Sequence, residues 1–336
     1  MSEDLPRVLA GRYRLLSPLG EGGTSTVRRA WDESLDRAVA IRDVVPPAWM
    51  PAESRELWLR RIPLEMRPMT RVKSHSGIVA VHDVVEEDGL PWIVMDLVEG
   101  PSLARVIETE GRLDEVRVAE IGLQVITALA WMSETYGILH QDVRPSNILF
   151  EDGRVMLTGF WISAVVRGVI DCSFEHLTDV LPYLAPERIL SQRPSTSADL
   201  WAMGVTLYEA VEGRRPFEEE STMGTLAAVV FRPPAPTRYA DRLRPVIEGL
   251  LRKDPAERLT VAQATALLSQ VATEAPLDGP SEVATGAPPD GPSQMTAETP
   301  PDRPSEAATE APAGRPRRLR LGRPFSRGAG RRPGWP

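Results

Sequence analysis

Cysteine, lysine and aromatic residues are all scarce in this sequence. Cys172 is the only cysteine among 336 residues, which excludes an internal disulfide and a metal site built from several cysteines. Residues 1–4 lack the basic and apolar segments of a signal peptide, and no run of about 18 apolar residues is present to form a transmembrane helix. We therefore expect a cytoplasmic protein without a transmembrane segment.

The scarcity of lysine affects how any basic site is interpreted. The 39 basic residues include only two lysines, Lys73 and Lys253, and all the others are arginines. A guanidinium is planar and longer than an ammonium, so arginine does not replace lysine where geometry matters. A general preference for arginine explains its presence at a position that requires lysine, but it does not restore the geometry there.

Composition separates the C-terminal part of the chain from the rest. Residues 272–310 are rich in proline, alanine and glutamate and repeat with a period of 12 residues, at Pro276, Pro288 and Pro300. They have little to bury, so we predict a disordered spacer. Residues 311–336 contain eight arginines and no acidic residue, and this basic tail therefore carries a charge of +8. It could contact an acidic protein surface, nucleic acid or anionic lipid, or fold back onto its own acidic chain.

Residues 12–271 carry the periodic patterns of a folded domain. Residues 13–20, 27–31 and 37–41 are apolar, strand-like segments, the first two joined by a glycine-rich turn. Asp114 is a candidate N-cap for a long helix, because apolar residues follow it at helical spacing. These are Val118, Ile121, Val125, Leu129 and Met132. Strands first and helices afterwards predict an α+β domain with two lobes.

Four segments of this domain carry recognisable motifs. Residues 19–27 form the glycine-rich turn, residues 39–42 read Val-Ala-Ile-Arg, residues 140–147 read His-Gln-Asp-Val-Arg-Pro-Ser-Asn, and residues 184–187 read Leu-Ala-Pro-Glu. In this order they resemble the bacterial Ser/Thr protein kinase family along nearly all of residues 12–271. The resemblance implies a small antiparallel β N-lobe with one helix, a larger helical C-lobe, and ATP as the candidate ligand.

The resemblance also implies how the phosphates of a nucleotide would be held. The backbone of the glycine-rich turn approaches them, and Arg42 stands where the family has a lysine that contacts them. That lysine pairs with a helix glutamate, for which Glu65 is the best match and Glu53 and Glu56 are alternatives. Proline interrupts helices, so Pro68, which we expect inside the same helix, would kink or shorten it.

An adenine pocket is implied next to these residues. Met95 would be its gatekeeper, and the backbone of Asp96 and Val98 would face the base. The candidate nucleotide-binding residues are Gly20, Gly22, Val27, Ala40, Arg42, Glu65, Met95, Asp96 and Val98.

The catalytic loop is the most specific match. By resemblance, Asp142 is the base that accepts the proton of a substrate hydroxyl, and Asn147 helps to hold Mg²⁺. Arg144 replaces the lysine that neutralises the transferred phosphoryl group, and Gln141 replaces an arginine that binds a phosphorylated activation loop. The resemblance further implies structural roles for three residues. Glu187 and Arg258 would form a buried ion pair, and Asp199 would hold the catalytic loop in place.

The main departure from the family follows the next strand. Gly159 stands in place of the aspartate of an Asp-Phe-Gly motif, which is the principal protein ligand of Mg²⁺. Trp161 stands where the family has a glycine that lets the backbone turn. Asn147 is then the remnant of the metal site, and we expect Mg²⁺ binding to be weak or absent.

These observations support three hypotheses. The first is a pseudokinase, a regulatory or binding protein that acts in signalling through protein partners and handles Mg-ATP poorly. The second is an active but atypical Ser/Thr kinase that transfers the γ-phosphate of ATP with Asp142 as the base. The third is that the basic tail is the functional end and tethers the domain to nucleic acid or membrane.

Overall fold

The computed structural model describes residues 7–22, 25–46, 50–72, 75–160 and 179–273. The predicted spacer and basic tail lie outside the described residues, except for Ala272 and Thr273, which belong to the last helix of the domain.

The N-lobe is built on one antiparallel sheet of six strands in the order β1-β2-β3-β4-β6-β5. The strands are β1 (Val8–Leu9), β2 (Tyr13–Gly22), β3 (Ser25–Asp32), β4 (Arg37–Asp43), β5 (Val81–Glu87) and β6 (Leu90–Met95). Alternation along β4 buries Val39 and Ile41 in a small core on one face, while Ala40 packs into the main core of the domain. Arg42 lies two residues after Ala40 in the same strand, so both side chains are on the same face of the sheet. Arg42 pairs with Val27 of β3.

One helix, α1 (Ala52–Met66), accompanies this sheet and carries Glu65. The expectation that Pro68 lies inside it is wrong, because the helix ends at Met66 and Pro68 precedes a 3₁₀ turn, Met69–Arg71. The proline inside the helix is Pro63, which has no N–H to donate to the preceding turn.

The C-lobe is helical. Its helices are α2 (Leu103–Glu110), α3 (Glu115–Tyr136), α4 (Pro186–Ile189), α5 (Thr196–Glu212), α6 (Thr222–Phe231), α7 (Arg244–Leu250) and α8 (Val261–Thr273). The short strands β7 (Ile148–Glu151) and β8 (Arg154–Leu157) form a hairpin beside them. Short 3₁₀ turns occupy Pro145–Asn147 and Leu181–Tyr183. The two-lobed α+β architecture predicted from the sequence is confirmed.

Helix α3 is the centre of this lobe. The carboxylate of Asp114 accepts a hydrogen bond from the backbone N–H of Arg117 at 2.9 Å, so the predicted N-cap is present. All five of the apolar positions predicted from the helical spacing are buried. By length and composition α3 could also cross a membrane, but here it packs against α5 and α8, as the core helix of a folded domain does.

Candidate active site

Asp199 at the start of α5 holds the loop that carries the catalytic motif. Its carboxylate accepts hydrogen bonds from the backbone N–H groups of His140 (2.8 Å) and Gln141 (2.6 Å). Burial raises the pKa of Asp199 to about 6, and these two hydrogen bonds oppose the rise. Gln141 adopts a positive φ of 65°, a conformation that costs a non-glycine residue energy. The two hydrogen bonds to the Asp199 carboxylate therefore hold the loop in a strained turn.

His140 links this loop to the segment that follows β8. Its Nε2 lies 2.9 Å from the carbonyl oxygen of Thr158, and its Nδ1 accepts from the N–H of Asp142 at 3.1 Å. Because a carbonyl can only accept, the proton of the neutral ring is on Nε2. Burial lowers the pKa of His140 to about 3, so the ring is neutral at physiological pH. The ring also packs against Phe160.

Asp142 is fully surrounded by protein. The amide of Asn147 donates to its carboxylate at 2.6 Å and to its backbone carbonyl at 2.8 Å. Nε of Arg144 lies 3.2 Å from the other carboxylate oxygen, close enough for an ion pair but not aligned as a hydrogen bond. Burial raises the pKa of the Asp142 carboxyl, and the positive charges of Arg144 and Arg42 oppose that rise.

Arg42, on β4 of the other lobe, interacts electrostatically with the same carboxylate. Burial lowers the pKa of its guanidinium; the negative charge of Asp142 counteracts this effect, and the positive charge of Arg144 adds to it. The negative charge of Asp43 also acts on Arg42, so three of the predicted residues, Arg42, Asp142 and Arg144, interact electrostatically in one region together with Asp43. Asp43, which no sequence motif singled out, accepts a hydrogen bond from the N–H of Thr26 at 2.5 Å and so fixes the start of β3.

The glutamate predicted to pair with Arg42 falls outside what the structure describes. Glu65 lies in α1, but its side chain is outside the described residues. Of the alternatives, Glu53 is exposed, and Glu56 forms an exposed ion pair with Arg60 at 2.6 Å. Both alternatives therefore lie on the solvent side of the helix.

The glycine-rich turn is described up to its tip. Gly20 and Gly22 pair with Val27 and Ser25 across the β2–β3 hairpin, so both strands extend further into the turn than the predicted residues 13–20 and 27–31. Residues 23–24 at the tip lie outside the described residues.

The predicted adenine pocket has an apolar side and a polar edge. Ala40 and Met95 are cross-strand partners and are both buried, with Val27 and Val98 half-buried against the same core. The N–H of Asp96 donates to the carbonyl of Ala80 at 3.0 Å. The backbone N–H of Asp96 is thus used within the protein, and only its carbonyl is available to face a base.

The side chain of Asp96 also has a role that sequence reasoning missed. It accepts from the N–H of Ala80 at 3.1 Å and lies 2.7 Å from Nε2 of His82. Burial alone would raise the pKa of Asp96, but these hydrogen bonds lower it by more than burial raises it. The pKa of Asp96 is therefore below its usual value. The segment that joins the lobes is therefore anchored to β5.

Gly159 is the residue that decides what the site can hold. Its φ is +94°, and an added Cβ would lie 2.8 Å from both Cγ and Nδ2 of Asn147. The side chain of Asn147 therefore fills the space into which a side chain at position 159 would project. No group of three histidine, cysteine or carboxylate residues suited to a metal ion occurs in the described part of the chain. Trp161 lies outside the described residues.

The predicted structural ion pair is present deeper in the C-lobe. Arg258 donates to both carboxylate oxygens of Glu187, at 2.8 and 3.1 Å, and also to the backbone carbonyl of Ser197 at 2.7 Å. The Arg258 side chain is fully buried and that of Glu187 is 4% exposed. This bidentate geometry ties α4 to the start of α5 and to the segment before α8.

Comparison with known proteins agrees with this architecture. A family model described as protein kinase domain matches residues 13–268. The chain is 33% identical over 265 residues to the serine/threonine-protein kinase PknA of Mycobacterium tuberculosis (strain ATCC 25618 / H37Rv), covering 75% of this chain and 60% of PknA. It is 30% identical over 261 residues to the serine/threonine-protein kinase PrkC of Bacillus subtilis (strain 168), covering 76% of this chain and 39% of PrkC.

A third relative, the serine/threonine-protein kinase PksC of Streptomyces coelicolor, is 31% identical over 274 residues, which are 77% of this chain and 48% of PksC. The chain thus spans less than two thirds of the length of these relatives. The matched family model covers most of the chain and coincides with the two lobes described above, and the chain therefore belongs to the protein kinase domain family.

Proposed function

We propose that this chain is a pseudokinase, a regulatory or binding protein that acts in cytoplasmic signalling through protein partners. The observation that supports this most strongly is Gly159, which supplies no oxygen ligand and whose side-chain space is taken by Asn147. Magnesium needs hard oxygen ligands in near-octahedral geometry. The residues present therefore do not fit the metal that the family uses.

The environment of Asp142 supports the same proposal. Its carboxylate is held by the amide of Asn147 and balanced by Arg144. The Asn147 amide nitrogen is turned to Asp142, and position 159 has no carboxylate, so the charged ligand that the family uses for the metal is missing. A divalent cation would meet two guanidinium groups there and one carboxylate that is already paired.

An active, atypical kinase is the second candidate. It is favoured by the intact geometry of the catalytic loop, since Asp199 still braces it and Asp142 occupies the position of the base. The proposal that the basic tail tethers the domain rests on sequence alone. Deleting residues 311–336 and measuring salt-dependent binding to nucleic acid and to anionic vesicles would test it.

A transfer assay separates the first two candidates. The full chain and its Asp142→Asn variant are incubated with γ-labelled ATP, Mg²⁺ or Mn²⁺ and a general protein acceptor, with the melting temperature of each protein checked first. We expect equal, background-level incorporation for both proteins. Incorporation by the wild type that Asp142→Asn abolishes would overturn the pseudokinase proposal.

A further inference from the structure

The outer face of helix α6 is apolar and exposed. The two most exposed large apolar side chains in the described part of the chain are Phe231 (82%) and Met223 (69%), and both belong to this helix. Ala227 and Val230 lie between them at helical spacing and are half-buried. The ten residues of α6 include no charged residue. A helix that is apolar all round normally packs on all sides, so the outer face of α6 is a candidate interaction surface.

The inner face and the N-terminus of α6 are fixed to the rest of the C-lobe. The buried residues of the helix are Thr225, Leu226, Ala228 and Val229. Nζ of Lys253 donates to the backbone carbonyl of Val229 at 2.6 Å and lies 4.0 Å from the centre of the Phe217 ring. At the N-terminus, the hydroxyl of Ser221 accepts from the N–H of Gly224 at 3.0 Å. The helix is therefore preorganised, and binding through its outer face requires little additional ordering.

The two ends of α6 carry opposite charges. The residues before the helix are Glu218, Glu219 and Glu220, and Arg232 follows it. Glu218 pairs with Arg215 at 2.9 Å, and Glu220 is exposed and forms no ion pair with a described residue. Nη1 of Arg232 lies 2.6 Å from Glu219, but 60% of the Arg232 side chain is exposed. Because a guanidinium has five N–H donors, Arg232 has donors left for a second carboxylate.

We infer that the outer face of α6 is a self-association surface, on which a second copy of this chain binds with its own α6 antiparallel. A two-fold axis close to Ala227 places Met223 of one copy opposite Phe231 of the other, because both residues lie four positions from Ala227. Sulfur and an aromatic ring attract each other in such a contact. The same axis brings Glu220 of each copy towards Arg232 of the other, whereas a parallel pair would bring like charges together.

The size of this surface sets the expected affinity. One face of a ten-residue helix is small compared with the roughly 1,200–2,000 Å² that a stable interface buries. The pair should therefore form weakly and reversibly, with a Kd on the order of 1–100 μM. The inference goes beyond the proposed function, because it concerns a surface away from the catalytic loop and holds whether or not the chain transfers phosphate.

Sedimentation velocity on the full chain over about 1–300 μM tests the inference and should show a monomer–dimer equilibrium. Phe231→Glu should raise Kd by about tenfold or more, because it places a carboxylate in the apolar contact. Leu64→Glu is the matched control, because Leu64 is an apolar residue that is 60% exposed on α1 of the other lobe, and it should leave Kd unchanged. The melting temperature of each variant is checked first, and Met223→Glu serves if Phe231→Glu does not fold.

Charge reversal tests the antiparallel direction. Glu220→Arg and Arg232→Glu should each raise Kd by about threefold or more, because each brings like charges together across the axis. The double variant should return Kd to within about threefold of the wild type, because opposite charges then face each other again. A double variant that binds more weakly than either single variant would overturn the antiparallel arrangement.

The remaining outcomes decide whether the surface exists. A monomer at every concentration would overturn the inference. A dimer whose Kd is unchanged by Phe231→Glu, or is raised equally by Leu64→Glu, would overturn it as well, since association would then depend on another part of the chain. None of these results bears on the pseudokinase proposal, which the phosphate transfer assay tests independently.

Discussion

The contact between Gly159 and Asn147 can be tested by adding a single methyl group. In Gly159→Ala the new Cβ would lie 2.8 Å from Cγ of Asn147, closer than two carbon atoms can approach. Asn147 would have to move, and it is buried and donates two hydrogen bonds to Asp142. The substitution therefore adds backbone strain at φ +94° and also disrupts the loop that holds the base position.

The two costs can be estimated separately. A non-glycine residue at an unfavourable positive φ costs about 1–3 kcal/mol, and leaving buried polar groups without their hydrogen bonds costs about 1–3 kcal/mol more. Gly153 is a matched control, because its φ is +76° and nothing lies within 4 Å of an added Cβ. Gly153→Ala should therefore lower the free energy of unfolding by the backbone cost alone. Gly159→Ala should lower it by about 2 kcal/mol more.

Urea unfolding followed by circular dichroism measures both free energies of unfolding on the same protein. The double variant Asn147→Ala/Gly159→Ala should be less destabilised than the sum of the two single variants, because removing the Asn147 amide removes the overlap. Equal destabilisation by Gly159→Ala and Gly153→Ala would refute the reasoning. It would mean that Asn147 moves aside at no cost and that position 159 has room for a side chain.

Two further predictions follow from buried charged groups. Arg258→Met leaves Glu187 buried without its partner and should lower the free energy of unfolding by about 3–5 kcal/mol in the same assay, whereas Glu56→Gln, in an exposed ion pair, should change little. The pKa of His140 is about 3 in the folded state, below its ordinary value, so the unfolded chain takes up a proton first as the pH falls. Between pH 6.5 and 3 the wild type should therefore lose stability relative to His140→Gln by about 1.4 kcal/mol per pH unit. The raised pKa of Asp199 stabilises the folded state as the pH falls, but it does so in both proteins and cancels in the comparison. Parallel profiles of stability against pH for the two proteins would contradict this account.

The fold could be predicted from the sequence because its signals are local. The spacing of apolar residues after Asp114 specifies a helix with one buried face, and the structure places that face in the core. The alternation along β4 likewise separates Val39 and Ile41 from Ala40. Motif spacing placed Asp142, Asn147 and Asp199 on elements that the fold brings together.

The features missed from the sequence depend on contacts between distant segments or on backbone angles. The end of α1 was placed too late, because Pro68 was assumed to interrupt a helix that in fact stops at Met66. The overlap between Gly159 and Asn147 depends on φ at one residue and on the distance between two loops. Neither is encoded in residue spacing, so the sequence showed that a ligand was missing but not that its space was filled.

The missing carboxylate at position 159 and the positive charges of Arg42 and Arg144 both disfavour Mg²⁺. A single reversion at position 159 is therefore not expected to restore metal binding. A carboxylate introduced by Gly159→Asp would enter a site with two guanidinium groups, and at about 4 Å an ion pair there is worth up to about 4 kcal/mol before desolvation. It would also have to displace Asn147 to fit. Gly159→Asp should therefore gain no Mg²⁺-dependent ATP affinity by calorimetry. A clear gain would show that the carboxylate alone controls the choice between metal and guanidinium, and that the arginines are passive.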